Sequence, residues 1–303
     1  DYIFYLPPDT PRNVRRFMAI VRPKIAVFVK YEFWVNYLLA MKRAGTKLYL
    51  ISSIFRDGQI FFRPYGGLFR SALRAFRHIF VQNDSSRNLL KSIGIEQVSV
   101  AGDTRFDRVY EIAQQAKRLP EIERFAADAP VFIAGSTWPP DEELLVGLIE
   151  RYPDVKFIVA PHEIDPARIE KFCERISRPA LRYTQLTPQS DLAAAGVLFV
   201  DTIGILSSVY RYGRWGYIGG GFGAGIHNTL EAATFGLPLA FGPRYGKFRE
   251  ARDLVTLRGA ASIASAEELE RWFAGLHDDP DATGRSGTIC KEYVLQHKGA
   301  TAR

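Results

Sequence analysis

The chain alternates between short apolar runs and longer stretches in which apolar residues recur at helical spacing. The runs show little polar alternation, which is typical of parallel strands buried on both faces. A helical stretch such as FWVNYLLAMKRAG ends in Lys42, Arg43 and Gly45, which together form a helix stop. The pattern predicts strands at 2–6, 25–29, 47–52, 78–82, 98–102, 131–135, 156–160, 197–201, 215–220 and 238–242.

A polar helical connection over residues 107–129 separates two sets of these strands. The length of 303 residues suits two domains of roughly 150 residues each. Two α/β halves of this kind predict two Rossmann-like, doubly wound parallel-sheet domains facing a cleft, with ligands beyond the carboxyl ends of the strands. We place the domains at residues 1–115 and 116–303.

The formal net charge of +7 favours anionic partners such as phosphates, nucleic acid or a membrane surface. No RNA-binding signature occurs, so nucleic acid is disfavoured. No apolar run reaches the ~18 residues of a membrane span. Cys173 and Cys290 are far apart, and the five histidines form no HxH or HxxxH pair, which argues against a disulfide framework and a metal site.

Residues 219–231, GGGFGAGIHNTLE, follow a predicted strand and lead into a helix that begins near Asn228. Gly219 to Ala224 fits the dinucleotide fingerprint, but it stands late in its domain, which disfavours a dinucleotide site. Asn228 and Glu231 fit a capping box. Alternatively, the glycines let the backbone approach an anion at the helix start. The residues alone leave both interpretations open.

Further motifs occur in the order in which a known family carries them. Together with the glycine stretch they are KYEFWVN (30–36), GDTRFD (102–107), AGSTWPPDEE (134–143), APHEI (160–164) and DTIGILSSVYRYG (201–213). They resemble the signature of the Kdo transferases, which add 3-deoxy-D-manno-oct-2-ulosonic acid (Kdo) to lipid A. The resemblance covers nearly the whole chain. It implies the GT-B fold, with an N-terminal acceptor domain and a C-terminal domain for the nucleotide-sugar donor.

The resemblance also implies a site for CMP-Kdo in the second domain, with no cofactor and no metal. The family has Pro-Arg-His where this chain has Ala160, Pro161 and His162, so one cationic phosphate contact is lost or moved. The positions that match nucleotide contacts of the family are Ser136, Thr137, Pro161, His162, Ile203, Gly204, Ile205, His227, Asn228, Thr229, Leu230 and Glu231.

Two residues of the first domain match positions that assist the family's transition state. They are Glu32 and Arg105, and Arg105 replaces a lysine, which keeps the charge but changes the hydrogen-bonding geometry. The family's general base is a glutamate in a segment upstream of the motif that contains Glu32. We therefore expect residues 1–115 to lack the first βα segment, which leaves open whether this chain is active alone.

Residues 61–80 combine apolar positions at helical spacing with an arginine stripe. One interpretation is a surface helix packed on the core with solvated arginines. The other, favoured by the resemblance, is an amphipathic element that binds a lipid A precursor at an anionic membrane. The apolar positions begin at Leu68 and end at Phe80, and the arginines are Arg63, Arg70, Arg74 and Arg77.

The sequence thus predicts a peripheral enzyme on the cytoplasmic face of a bacterial inner membrane. It would transfer Kdo from CMP-Kdo to lipid IV-A, with inversion and without a metal ion. Two alternatives remain: another GT-B enzyme that uses a UDP-sugar, or a noncatalytic lipid-binding protein on a transferase scaffold.

Overall fold

A computed structural model describes residues 3–303 as two compact units. The first unit extends to Asp107 and includes His297–Arg303, and the second is Arg108–Gln296. The division therefore precedes the boundary placed after residue 115, and the last residues of the chain belong to the first unit. The Asp107 carboxylate holds them there, because it accepts hydrogen bonds from the backbone amides of Gly299 (2.6 Å) and Thr301 (3.1 Å).

The first unit is a parallel sheet with the strand order β1-β2-β3-β4. Helices connect its strands. Its elements are α1 Pro11–Val21, β1 Ile25–Val29, α2 Val35–Arg43, β2 Lys47–Ser53, α3 Gly67–Leu73, β3 His78–Val81, α4 Asp84–Ser92, β4 Val98–Val100 and α5 Thr104–Gln114, the last of which contains the division.

The two faces of this sheet differ in burial. Leu50 and Val81 are fully buried in a core shared with α1, α2 and α4. The face of β1 that points away from this core carries Ile25, Val27 and Val29, whose side chains are 59%, 54% and 44% exposed. Right-handed crossovers between strands in consecutive order place the connecting helices on one face. The prediction of burial on both faces is therefore wrong for β1 within the described chain.

The second unit contains a parallel sheet of the order β11-β10-β9-β5-β6-β8-β7. Its strands alternate with helices along the chain. The elements are α6 Pro120–Ala126, β5 Val131–Thr137, α7 Pro139–Arg151, β6 Lys156–Pro161, α8 Pro166–Cys173, β7 Ala180–Arg182, β8 Val197–Phe199, α9 Leu206–Val209, β9 Trp215–Ile218, α10 Thr229–Thr234, β10 Leu239–Phe241, α11 Arg249–Thr256, β11 Ala260–Ser262, α12 Ala266–His277 and α13 Pro280–His297.

The centre of this sheet is buried on both faces, as predicted. Every residue of β6, β8, β9 and β10 is buried. From β5 the chain adds strands first on the β6 side and later on the β9 side, so the order reverses between β5 and β9. Ligands of doubly wound sheets bind beyond the carboxyl ends of the strands at such a reversal. The fold therefore directs attention to the segments that follow β5 and β9.

The predicted strands from residue 25 onward each overlap an observed strand. The predicted strand at 2–6 is wrong where it can be examined, because residues 3–6 lie in no strand, and residue 2 lies outside the described residues. The prediction missed β7 and β11, which have three residues each. Among the described residues, no helix has both the length and the hydropathy needed to cross a bilayer.

Candidate functional site

The first glycines of the stretch 219–225 are required by close backbone packing. A Cβ atom on Gly219 would lie 2.2 Å from the carbonyl oxygen of Ser136, and one on Gly221 would lie 2.6 Å from the Cα of Gly242. The segment after β9 therefore packs directly against the ends of β5 and β10. Ser136 itself has a φ of 55°, a strained value for a residue with a side chain.

The later glycines form a turn that leaves space beside α7. Gly220 and Gly225 have φ values of 91° and 138°, and the Gly223 amide donates to the Gly220 carbonyl over 3.0 Å. Between this turn and the start of α7 lies a pocket of about 420 Å³. It is lined by Trp138, Pro140, Asp141, Gly220, Phe222, Gly223, Ala224, Gly225 and His227.

Asp141 fixes one wall of this pocket. Its carboxylate is buried and accepts hydrogen bonds from the backbone amides of Trp138 and Gly220, each over 2.9 Å. The Tyr217 hydroxyl donates a third, over 2.7 Å. Burial and the neighbouring Asp141 carboxylate raise the pKa of Tyr217, so its hydroxyl stays protonated as a donor. Sequence analysis missed Asp141, although its place in the first turn after Trp138 is a capping signal.

Two predicted site residues, His162 and His227, stack on each other with ring centroids 4.2 Å apart. The Trp138 ring stacks on His162 at 4.9 Å, and its Nε1–H donates to Nε2 of His227 over 3.0 Å. Burial and the nearby His162 lower the pKa of His227, while Asp141 opposes this shift. The ring of His227 is therefore neutral at neutral pH. Trp138 was not among the predicted site residues.

The Thr137 side chain forms its hydrogen bond within the second unit. Its hydroxyl donates to Glu142 Oε1 over 3.0 Å, and Arg168 Nε lies 3.6 Å from Glu142 Oε2. Burial raises the pKa of Glu142, an effect that Arg168 and Thr137 oppose. Arg168 also donates from its Nη2 to the Glu163 carbonyl over 2.7 Å. A guanidinium therefore lies near the ends of β5 and β6, although the family's cation at residues 160–162 is absent.

The capping prediction for Asn228 is confirmed, since its Oδ1 accepts from the Leu230 amide over 3.2 Å. Glu231 accepts a hydrogen bond from the side-chain amide of Asn228 over 2.9 Å. In a standard capping box it would accept from the backbone amide of the N-cap residue instead. The side chain of Leu230 is buried in the core. The Thr229 hydroxyl is buried as well, and no hydrogen-bond partner for it occurs among the described residues.

The predicted segment Ile203, Gly204 and Ile205 forms the turn between β8 and α9. Gly204 has a φ of 90°, and Ile203 is 89% exposed. Tyr210, which follows this turn, lies against Gly135 at the end of β5, where an added Cβ would lie 1.9 Å from the Tyr210 hydroxyl. Burial and the charge of Glu231 raise the pKa of Tyr210. Tyr210 thereby brings the segment that follows residue 203 against the end of β5.

Glu32 and Arg105 follow strand ends in the first unit. Glu32 is exposed and accepts a hydrogen bond from the Trp34 indole. Arg105 forms an ion pair with the buried carboxylate of Asp103, in which Nε and Nη2 lie 2.8 Å and 2.7 Å from Oδ2. Asp103 also accepts from the Ser52 hydroxyl over 3.3 Å. Its pairing orients Arg105, a contact that the sequence did not indicate.

The predicted amphipathic helix over residues 68–80 is wrong. Helix α3 ends at Leu73, and the Arg77 amide joins the sheet by donating to the Leu48 carbonyl over 2.7 Å. Tertiary contacts override the helical spacing of the apolar residues, because Phe80 belongs to β3.

The four arginines consequently share no single helix face. Arg70 donates to the Phe61 and Arg63 carbonyls over 3.1 Å and 2.7 Å, and Arg74 donates to the Ile93 carbonyl over 3.2 Å. These two guanidinium groups hold loops of their own unit. Arg63 is exposed near Tyr65, which is 78% exposed.

Comparison with known proteins identifies a related family. Residues 1–108 match the family described as 3-deoxy-D-manno-octulosonic-acid transferase (kdotransferase). The 3-deoxy-D-manno-octulosonic acid transferase of Bordetella pertussis is 25% identical, and the match covers 99% of this chain and 72% of the relative. These matches confirm the resemblance that the motifs indicated.

Two solved structures show the same fold. The C-terminal CMP-Kdo binding domain of WaaA from Acinetobacter baumannii matches 63% of this chain and 99% of its own, with a TM-score of 0.51 and 22% identity. UDP-GlcNAc 2-epimerase from Neisseria meningitidis, bound to UDP-GlcNAc, matches 96% of this chain and 78% of its own, with a TM-score of 0.66 and 14% identity. The α/β fold is of the GT-B class, as expected.

Proposed function

We propose that this chain is a member of the Kdo transferase family of glycosyltransferases and that it transfers Kdo from CMP-Kdo to a lipid A precursor. The observation that carries the proposal is the similarity to a Kdo transferase along 99% of the chain. The grouping of the predicted nucleotide residues at strand ends of the second unit supports it, because phosphates and riboses bind in such places.

In the donor site, Glu231 would accept hydrogen bonds from the ribose hydroxyls of CMP. Its Oε1 is engaged by Asn228, which orients the carboxylate and leaves Oε2 for the ribose. Backbone amides of the turn 203–205 and the residues at the start of α10 would face the phosphate. His162 and His227 complete the predicted donor contacts.

The reaction would be a displacement at the anomeric carbon of Kdo. An acceptor hydroxyl forms the new C–O bond while the bond to the CMP phosphate breaks, and the electron pair leaves with CMP. Such a displacement inverts the anomeric carbon. The extra negative charge on the departing phosphate requires fixed donors or cations, which is the role we assign to the donor-site amides. For Glu32 and Arg105 we keep the assisting role at the transition state that the family resemblance implies. The hydroxyl proton passes to a general base, for which we assign no residue of this chain.

The acceptor would be lipid IV-A at the cytoplasmic face of a bacterial inner membrane, and no metal or cofactor would take part. The net charge of +7 supports an anionic surface as a partner. Exposed Arg63, Tyr65 and Leu68 combine a cation with apolar side chains, which suits a phosphorylated, acylated acceptor.

A transfer assay tests the proposal. The chain is incubated with CMP-Kdo and lipid IV-A, with and without EDTA, and the lipid product is measured by mass spectrometry. We expect a mass gain of one or more Kdo residues in both samples, with release of CMP. Turnover of UDP-GlcNAc without turnover of CMP-Kdo would favour the UDP-sugar alternative. Binding of lipid IV-A without turnover of either nucleotide sugar would favour the noncatalytic alternative.

A further inference from the structure

The first helix and the residues around it carry positive charge without compensating carboxylates. Residues 10–31 contain six lysine and arginine residues and no aspartate or glutamate. The formal net charge of the whole chain is +7, so this stretch alone carries a charge nearly as large. Three of the cations, Arg12, Arg15 and Arg16, lie on α1 and are exposed.

The other side of α1 is fixed to the first unit. Val14 is buried in the core, and the Phe17 ring packs edge-on against Tyr37 with the centroids 5.3 Å apart. The Asp9 carboxylate, just before α1, accepts hydrogen bonds from the backbone amides of Asn36 and Tyr37 over 3.1 Å each. The exposed side of α1 is therefore a preformed surface, since the helix is held in place by the core.

Aliphatic side chains adjoin the arginines on this surface. Ile20 follows Arg12 and Arg16 at intervals of four residues, so the three side chains lie in one row along the helix. Ile20 is 78% exposed, Val21 is 52% exposed, and Ile25 at the start of β1 is 59% exposed. The exposed residues from Arg12 to Ile25, which we call the α1 surface, thus combine cations with aliphatic groups.

A cavity of about 650 Å³ opens at the end of the α1 surface. Arg22, Lys24 and Lys47 line it together with Met18 and Ile25, and no carboxylate occurs among the described residues that form its walls. Three cations without a carboxylate favour a phosphate, and the apolar walls favour a phosphate that carries hydrocarbon. The cavity therefore suits the headgroup of an anionic lipid.

The α1 surface runs beside β1 from one end of the strand to the other. Helix α1 ends at Val21, shortly before β1 begins at Ile25, and its start lies next to the start of α2, which follows the carboxyl end of β1. A flat partner that lies on α1 therefore extends to the carboxyl end of β1, which Glu32 follows.

We propose that the α1 surface docks the protein onto an anionic phospholipid bilayer, with its cations at the headgroup phosphates and its aliphatic side chains at the edge of the acyl layer. A second copy of this chain is disfavoured, because like charges would face each other. The phosphate backbone of a nucleic acid would leave the aliphatic groups without an apolar partner. A bilayer supplies both phosphates and an apolar layer.

This inference rests on the proposed function, because it explains how a lipid acceptor in the bilayer comes to lie near the carboxyl end of β1. It assigns docking to a different surface from exposed Arg63, Tyr65 and Leu68, which suit the acceptor itself.

The first test is co-sedimentation with lipid vesicles. The wild type should bind vesicles that contain phosphatidylglycerol at least about tenfold more tightly than pure phosphatidylcholine vesicles, and added salt should weaken the binding. Arg12→Gln/Arg16→Gln should weaken it about tenfold or more. Arg252→Gln/Arg271→Gln removes the same charge from exposed arginines of the second unit and is the matched control. Equal losses in the two double variants would overturn the proposal.

The second test concerns the aliphatic groups. Ile20→Ser should weaken vesicle binding about threefold or more, because an apolar side chain no longer enters the interface. Leu257→Ser is the matched control, since Leu257 is 50% exposed on the second unit. A loss in Tyr65→Ser but not in Ile20→Ser would overturn the α1 assignment. Binding of polyglutamate without binding of vesicles would replace the bilayer with an acidic protein partner.

Failure of this inference differs from failure of the proposed function. Arg12→Gln/Arg16→Gln, with its fold checked by circular dichroism, should bind CMP as the wild type does, because the predicted donor residues are intact. If the wild type transfers Kdo to lipid IV-A in detergent but binds no vesicles, the docking surface is wrong and the proposed function stands. If it binds vesicles through α1 but transfers no Kdo, the proposed function is wrong and the docking surface stands.

Discussion

Gly219 is a residue at which the second unit tolerates little change in side-chain size. The segments after β5 and β9 approach so closely there that only a hydrogen atom fits between the Gly219 Cα and the Ser136 carbonyl. The glycines are therefore explained first by contact between strand ends. The pocket beside α7 is a consequence of how these segments then turn.

Gly219→Ala should destabilise the protein by about 1–3 kcal/mol, because the added methyl group forces backbone to move. Gly246→Ala is the matched control, since no atom lies within 4 Å of its added Cβ. It should change stability by less than about 0.5 kcal/mol. Urea unfolding measures both variants, and equal stabilities would contradict the close packing at Gly219.

His277 is a second residue with a defined role, far along the chain from the predicted site. Its Nε2 lies 2.8 Å from Asp154 and its Nδ1 lies 3.0 Å from Asp278. Burial lowers the pKa of His277, but the hydrogen bonds to Asp278 and Asp154 outweigh burial, so the pKa is raised. The protonated ring therefore stabilises the folded state.

The His277 contribution to stability should be fully present below the unfolded-state pKa of about 6.5 and should be lost as the pH rises through the folded-state pKa. In His277→Gln this pH-dependent component disappears. The experiment is urea unfolding of both proteins at a series of pH values from about 5 upward. A stability difference that grows with increasing pH would contradict the assignment.

At the scale of elements, the sequence pattern predicts the inner strands better than the ends and the short edges. Apolar runs located β5, β6, β9 and β10 because these strands are buried on both faces. Strands of three residues such as β7 and β11 give too short a pattern. The prediction of one helix over residues 68–80 was wrong because apolar residues recur there at helical spacing, although the segment consists of the end of a helix, a connection and a strand.

The unequal faces of the first sheet give a prediction at this scale. Val81 on β3 is fully buried, whereas Val27 on β1 is 54% exposed. Val81→Ala should cost about 2–3 kcal/mol and Val27→Ala less than about 1 kcal/mol, because only the first leaves a cavity. Urea unfolding at two protein concentrations makes the comparison. Equal costs would mean that the Val27 face is covered in solution.

At the scale of the whole molecule, the fold and the resemblance to a family could be inferred from ordered motifs, but the contacts that build the site could not. The resemblance supplied His162, His227, Asn228 and Glu231. Asp141 reaches Gly220 across 79 residues, and Trp138 reaches His227 across 89, so neither bond leaves a local sequence signal. Such contacts depend on the strand order at β5 and β9, which a single sequence does not reveal.

The central claim is that the second unit binds a cytidine nucleotide through Glu231. The most direct measurement is calorimetry of CMP and UMP with the wild type, Glu231→Ala and Glu268→Ala. Glu268 is a matched control, because it holds the same position after the N-cap Ser265 in α12 as Glu231 holds after Asn228 in α10.

We expect the wild type and Glu268→Ala to bind CMP at least about tenfold more tightly than UMP, a difference of about 1.4 kcal/mol. Glu231→Ala, with its fold confirmed by circular dichroism, should lose about tenfold or more in CMP affinity, because a carboxylate that binds the ribose is removed. Equal binding of CMP and UMP, or no binding by the folded wild type, would contradict the account.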